Sequence, residues 1–306
     1  MDIKSVNTTL KVQEKFEKAP LFVDNNKEDK KSNISFNSDS NSVSNVLSKD
    51  FTQIFKIPET TNSNVVSTNK ISTKYDSRIF PNGVKGINPS DIQQNQIGDC
   101  YFLSSLASLA KQRPQDIIKM IKDNGDGTCN VKFPGRSGAI KVKIPTDDEI
   151  NKSSGAGKGD NGSIWVAILE KAYIQDHTFG KKQVELSGMN IRKGISDVTG
   201  NSTDIDTITR FSIDSIKDKI ENKISQGKII VASTFGYGDA SKNISSKHVY
   251  SVLGYDRNTD LITVRNPWGA SGEPNGIKNN DGVSDGVFKL TPQEFNNLFS
   301  LICYEE

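Results

Sequence analysis

The sequence has few of the residues that build metal sites and disulfide frameworks: two histidines and three cysteines among 306 residues. With two histidines and no Cys-x-x-Cys pair, we do not expect a zinc site. Three cysteines are too few, and odd in number, for a disulfide framework. We therefore expect no disulfides, and the composition allows a free, reactive thiol.

Long apolar runs and a strong charge imbalance are also lacking. No run of about 18 apolar residues occurs, so the sequence predicts no membrane-spanning helix. The first twenty residues lack the apolar core of a secretory signal. We therefore expect a cytoplasmic protein, or one exported without a standard signal peptide. The 39 Lys and Arg against 37 Asp and Glu give no reason to expect nucleic acid as a partner.

Three parts of the chain differ in composition. Residues 1–70 are rich in Asn, Ser and Lys and contain no Trp or Tyr, so we expect a disordered N-terminal tail. Residues 71–200 carry helical periodicity and predict a helical subdomain. Residues 201–306 contain short β-branched or aromatic runs broken by Gly, Asn and Asp, which predict an antiparallel β subdomain. The fold class predicted is therefore α+β.

Cys100 is the candidate nucleophile. It stands between the polar stretch QNQIGD and the helical pattern YFLSSLASLA, so the sequence places it at a helix N-terminus. The unpaired N–H groups there, together with a nearby imidazolium, would lower the pKa of the thiol from about 8.5. Asp99 is a plausible N-cap, although its charge would oppose a thiolate. The alternative interpretation is a small hydrophobic core residue.

A nucleophilic thiol needs a base, and His177 and His248 are the two histidines available. His177 ends a predicted helix, where a surface role explains it more simply. His248 opens the predicted strand HVYSVLGYD, and the next strand, LITVRNP, leads into Asn266. Paired without a bulge, this hairpin would bring His248 and Asn266 to within roughly 5 to 10 Å. The Asn could then accept the imidazole N–H, and the order Cys, His, Asn matches papain-like proteases.

A tetrahedral intermediate also needs hydrogen-bond donors aimed at its oxyanion. The backbone N–H of Cys100 would be one of them. On spacing alone, the side chain of Gln94, Asn95 or Gln96 could supply the second. Gly98 would let the chain turn tightly into the helix.

Six segments, in order, resemble the catalytic core of the calpain family of proteases: QNQIGDCYFLSSLASLA, WVAILEKAY, ELSGMNIRKGISDVTG, KHVYSVLGYD, VRNPWG and DGVFKLTPQEF. The likeness covers about residues 75–306. It implies a two-lobed papain-like fold with Cys100 as nucleophile, His248 as base and later acid, and Asn266 as the residue that orients the imidazole. It also selects Gln94 as oxyanion donor and assigns Trp268 to shielding the His–Asn pair.

The resemblance implies a cysteine endopeptidase that cleaves polypeptides through an acyl-enzyme and needs no cofactor for that chemistry. A catalytically silent protein-binding module, or acyl transfer on the same fold, is the alternative. The animal enzymes of the family bind calcium in this core. Asp91 and Glu185 lie near the first site that the resemblance implies, with Glu185 shifted by one residue, so calcium is a possible cofactor.

Overall fold

The computed structural model describes residues 75–152, 155–178, 190–234, 244–269 and 285–306. The predicted tail, residues 1–70, and Glu185 lie outside these ranges. Every strand pair in the described part of the chain is antiparallel, and helices occur throughout. The predicted α+β class is confirmed.

The described ranges contain seven α-helices: α1 Cys100–Gln112, α2 Pro114–Met120, α3 Asp147–Lys152, α4 Trp165–Thr178, α5 Ile191–Thr199, α6 Ile213–Ser225 and α7 Pro292–Leu298. They also contain nine strands: β1 Ile121–Asp123, β2 Thr128–Val131, β3 Ile140–Lys143, β4 Thr203–Thr207, β5 Ile230–Ser233, β6 Val249–Asp256, β7 Leu261–Arg265, β8 Val287–Leu290 and β9 Leu301–Glu305. None of the described helices has the length and apolar composition that a membrane crossing needs. All three cysteines are buried and free.

The strands form a small sheet in the order β1-β2-β3 and a larger one in the order β4-β9-β5-β6-β7-β8. From the sequence, we expect only the two-stranded hairpin β2–β3 of the small sheet. The third strand, β1, is not predicted because it is only three residues long and directly follows α2. The sequence also does not predict β4 and β9. These two strands pair Thr203 with Glu305, about a hundred residues along the chain, and neither alternates strongly enough to be recognised alone.

Helices cover both faces of the larger sheet. Because successive side chains along a strand point to opposite faces, neighbouring residues enter different cores. Val231 and Val249 pack in the same apolar cluster as α1. Ile230 and Tyr250 pack in a second cluster with residues of α6 and α7. The helix that carries Cys100 therefore lies directly on the larger sheet.

Buried serines join α1 to β6. The Ser104 hydroxyl donates to the Val249 carbonyl at 2.8 Å, and the Ser251 hydroxyl donates to the Ser104 carbonyl at 2.8 Å. Both serines are fully buried. Cys100 lies one turn before Ser104, on the same face of the helix. These bonds therefore direct the Cys100 side chain toward the start of β6.

Ser108 extends this contact to β5 and generates a stability prediction. Its hydroxyl donates to the Ile230 carbonyl at 2.9 Å and accepts the Ile230 N–H at 3.2 Å. In Ser108→Ala, both backbone groups lose this buried partner, so the free energy of unfolding should fall by about 1 to 3 kcal/mol in chemical denaturation. Ser225→Ala, at an exposed helix end, is the control and should change it by less than about 0.5 kcal/mol. Equal stability of the two variants would contradict the prediction.

Candidate active site

Cys100 is the first residue of α1, as the sequence predicts, and it is 7 % exposed. Burial raises the pKa of its thiol to about 11, and the neighbouring Asp99 charge adds to this shift. The backbone N–H groups of Val249 and Tyr101 donate to the sulfur and oppose this rise in pKa. The structure thus differs from the lowered pKa expected from the sequence, because loss of water around the thiol outweighs the donors at the helix end.

Asp99 directly precedes α1, but its side chain does not cap the helix. The carboxyl group is fully buried and contacts Gln94 and Glu170 instead. The main chain supplies the first acceptor, since the N–H groups of Phe102 and Leu103 donate to the Asp99 carbonyl at 2.8 and 3.1 Å. Asp99 therefore occupies the N-cap position predicted from the sequence, but without the side-chain hydrogen bond expected there.

His248 lies immediately before β6, and Thr234, directly after β5, holds its main chain. The His248 N–H donates to Thr234 Oγ1 at 3.1 Å, and the Thr234 N–H donates to the His248 carbonyl at 3.1 Å. The imidazole packs edge-on against Tyr250, with ring centroids 4.9 Å apart, and lies 4.4 Å from the Trp268 ring. Only 5 % of His248 is exposed. Trp268 thus lies against the imidazole of His248. The resemblance assigns it the role of shielding this ring.

The contact between His248 and Asn266 defines the tautomer of the imidazole. His248 Nε2 lies 2.9 Å from Asn266 Oδ1, and the Trp268 backbone N–H donates to the same Oδ1 at 3.1 Å. Because a backbone N–H can only donate, its contact identifies this atom as the amide oxygen. His248 Nε2 must then carry the hydrogen that it donates to Asn266. Nδ1 is left as the nitrogen of the neutral ring that can accept a proton.

The resting site holds neutral groups. Burial lowers the pKa of His248 to about 4, and the hydrogen bond to Asn266 opposes only part of that shift. With the thiol pKa raised, Cys100 and His248 are a neutral thiol and a neutral imidazole at neutral pH.

The β6–β7 hairpin contains a bulge. Gly254 pairs with Thr263, but Val252 pairs with Val264, so Leu253 is an extra residue in β6. The sequence interpretation assumes a hairpin without a bulge, and that part of it is wrong. The two side chains of interest, His248 and Asn266, nevertheless meet at the open end of the hairpin.

Gln94 lies beside the turn that follows Asn266. Its backbone N–H donates to the Pro267 carbonyl at 2.8 Å. The buried side-chain amide donates to the Ile97 carbonyl at 2.6 Å and to Asp99 Oδ1 at 3.4 Å. Both amide hydrogens are therefore directed at protein acceptors, and the bond to Asp99 is the longer.

The other residues named for this segment are exposed. Asn95 donates its side-chain amide to the Gly155 carbonyl at 2.5 Å, and Gln96 has an exposed side chain. Gly98 is exposed and does not adopt a left-handed backbone conformation. The turn into α1 therefore does not need the backbone freedom of glycine at this position. Of the three candidate oxyanion donors, Gln94 is the buried one.

Sequence reasoning did not identify Arg265, which joins the Gln94 segment to the end of β7. Its fully buried guanidinium donates through Nη2 to the Ile92 carbonyl at 2.6 Å. The signal in the sequence is a charged residue that ends the β-branched strand LITVR, directly before Asn266.

Asp91, a predicted calcium ligand, is engaged by protein donors. Its Oδ2 accepts the Trp165 indole N–H at 2.9 Å and the Asn88 backbone N–H at 3.1 Å, and the residue is 1 % exposed. A Cβ on Gly159 would lie 2.4 Å from Oδ1, so that side is closely packed too. Within the described ranges, no three His, Cys, Asp or Glu side chains form a group that could hold a metal ion. Asp91 alone does not fit a metal ligand, and its pairing with Glu185 stays a prediction.

His177, the second histidine, links two helices. Its Nδ1 lies 2.9 Å from the Tyr173 carbonyl within α4, and its Nε2 lies 3.3 Å from Asp197 Oδ2 in α5. The ring also packs on Tyr173, with centroids 3.9 Å apart. These contacts agree with a structural role.

Comparison with known proteins gives consistent matches. The family model described as calpain family cysteine protease matches residues 50–282. The calpain-type cysteine protease ADL1 of Oryza sativa subsp. japonica is 31% identical over 249 residues, which cover 71% of this chain and 11% of that protein. The calpain-like protease palB/RIM13 of Debaryomyces hansenii is 25% identical over 191 residues, covering 58% of this chain and 24% of its own length. The calpain-2 catalytic subunit of Gallus gallus is 25% identical over 207 residues, which cover 60% of this chain and 28% of that protein.

The matched region includes Cys100, His248 and Asn266. The chain spans only 9 to 11% of the length of the plant relatives it matches. The family model nonetheless covers well over half of the chain, and on that evidence the chain belongs to the calpain family of cysteine proteases.

Proposed function

We propose that the chain is a calpain-type cysteine endopeptidase with Cys100 as its nucleophile. The observation that carries the proposal is the His248–Asn266 contact, which leaves Nδ1 as the proton acceptor. The serine contacts between α1 and β6 direct Cys100 toward the same place. A catalytically silent binding module would have no chemical reason to keep the imidazole in this tautomer.

The proposal includes the two-lobed papain-like layout, with residues 71–200 and 201–306 as the lobes and the polypeptide bound between them. Cys100 belongs to the first lobe, and His248 and Asn266 belong to the second. Substrate binding would bring the scissile carbonyl to the junction where the thiol and the imidazole meet.

The chemistry follows from the neutral resting pair. As the Cys100 sulfur attacks the scissile carbonyl, the thiol proton moves to His248 Nδ1. Asn266 accepts the Nε2–H throughout and keeps the imidazolium oriented. The imidazolium returns its proton to the leaving amine, which leaves an acyl thioester on Cys100. Water, deprotonated by His248, then releases the acid and restores the thiol.

The backbone N–H of Cys100 and the side-chain amide of Gln94 would stabilise the oxyanion. The amide hydrogen that Gln94 donates to Asp99 would turn to the oxyanion. At 3.4 Å its present bond is longer and weaker than the bond of the other amide hydrogen to the Ile97 carbonyl. No step of this chemistry requires a metal, and we assign Asp91 to holding Trp165 in the core.

The activity test uses casein, because an unfolded protein exposes many peptide bonds. The parent chain should hydrolyse casein, and Cys100→Ala should lose at least ~1,000-fold of the rate, because the nucleophile is gone. Cys129→Ala, which removes a buried thiol of β2, is the matched control and should keep the parental rate.

Alkylation by iodoacetamide separates the alternatives if casein is not cleaved. Labelling of Cys100 that slows in His248→Ala would show that the imidazole takes the thiol proton, and would indicate a protease with a narrow substrate requirement. Labelling of Cys100 at the same rate in parent and His248→Ala, together with no cleavage, would identify a silent binding module and overturn the proposal.

The assignment of Asp91 predicts a stability effect that does not depend on calcium. Asp91→Ala leaves the Trp165 indole N–H unpaired in the core and should lower the free energy of unfolding by about 1 to 3 kcal/mol. Denaturation of parent and variant, with calcium or with a chelator, measures it. Stabilisation of the parent by calcium that disappears in Asp91→Ala would make Asp91 a metal ligand and contradict the assignment.

A further inference from the structure

Two carboxyl groups meet in the core behind the nucleophile. Asp99 is fully buried, and Glu170, in the middle of α4, is 3 % exposed. The two side chains are hydrogen-bonded to each other. Two ionised carboxylates cannot form such a bond, because neither has a hydrogen to donate. At least one of the two groups must therefore be protonated, and its proton is shared between them.

The hydrogen-bond inventory of the pair agrees with a shared proton. Glu170 Oε2 accepts the Ala156 N–H at 2.6 Å, and Asp99 Oδ1 accepts the Gln94 amide at 3.4 Å. The two remaining oxygens, Asp99 Oδ2 and Glu170 Oε1, are buried and have no other donor. A single proton between the carboxyl groups satisfies both.

No cationic side chain in the described ranges forms an ion pair with Asp99 or Glu170. Glu170 lines a cavity of about 320 Å³ together with Ile97, Glu149 and Lys171. Of these charged neighbours, Glu149 is 47 % exposed and lies 3.7 Å from Lys143, and Lys171 donates to the Lys143 carbonyl. The remaining titratable neighbour is Cys100, next to Asp99.

We propose that the Asp99–Glu170 pair, by holding one proton, positions the Gln94 amide as the oxyanion donor; this rests on the proposed protease function. With the proton in place, the pair attracts the amide hydrogen weakly, and that hydrogen can turn to the oxyanion. Without it, two adjacent negative charges hold the hydrogen at Asp99. They also oppose the negative charge that develops at Cys100 and on the oxyanion.

The two carboxyl groups lose their protons in order, Glu170 first and Asp99 after it. Burial raises the pKa of Glu170 to about 7. Burial, with the neighbouring Glu170 charge, raises the pKa of Asp99 well above its ordinary value. Since both values are raised in the folded state, the stability that the pair contributes is present at low pH. The part due to Glu170 is lost as the pH rises from the ordinary Glu value of 4.5 toward 7, and Asp99 then keeps the proton shared between the two groups.

The test replaces the shared proton with a permanent donor. In Glu170→Gln, the amide N–H donates to Asp99 at any pH. The free energy of unfolding of the parent should fall as the pH rises from 4.5 to about 7, and this fall should be smaller in the variant. Glu149→Gln, which changes an exposed carboxyl of the same cavity, should follow the parent. The unfolding measurement does not depend on activity, so it tests the shared proton even if the proposed function is wrong.

Kinetics test the positioning role. The kcat of the parent on casein should fall by roughly 100-fold, the cost of losing an oxyanion donor, once the pH passes the raised pKa of Asp99, which holds the shared proton after Glu170 has ionised; KM should change little. In Glu170→Gln this fall should be absent. If Glu170→Gln does not fold, Asp99→Asn supplies the same amide donor from the other side. Identical pH dependence of stability in parent and variant would overturn the shared proton. A shared proton with identical kcat profiles would overturn the positioning role.

Discussion

The packing of α1 on the larger sheet is the contact on which the candidate site depends, because Cys100 lies on the helix and His248 lies at the start of β6. Apolar contacts alone would let the helix shift along its axis at small cost. The hydroxyls of Ser104 and Ser108 instead bond to the main chain of the strands, and breaking these bonds would leave buried polar groups unpaired. The position of the thiol relative to the imidazole is thus set by hydrogen bonds one and two turns away from it.

Exclusion of water sets the charge state of the whole site. Desolvation favours the neutral form of each ionisable group, so the thiol keeps its proton and the imidazole lacks one. The same effect leaves one proton between Asp99 and Glu170. Between Cys100 and His248, charge therefore arises only when a proton moves during the reaction, while the Asp99–Glu170 pair keeps a single negative charge. The groups that must stabilise that charge are the Cys100 N–H, the Gln94 amide and Asn266.

Much of the site could be predicted from the sequence because its residues stand at element boundaries. Cys100 begins a helix that periodicity defines, and His248 and Asn266 flank two strands joined by a recognisable turn. The bulge at Leu253 could not be predicted, since one extra residue leaves the apolar pattern of β6 nearly unchanged. Glu170 did have a signal, a carboxylate inside a helix that is apolar on most sides. Its partner could not be inferred, because the contact with Asp99 joins segments about seventy residues apart.

The tautomer of His248 tests the central claim most directly. With two histidines in the chain, 15N NMR of histidine-labelled protein gives two ring systems, and His177→Gln assigns them. The structure predicts that His248 is neutral at neutral pH and carries its hydrogen on Nε2, and that Asn266→Ala weakens this preference. A hydrogen on Nδ1, or a ring protonated on both nitrogens, would contradict the account.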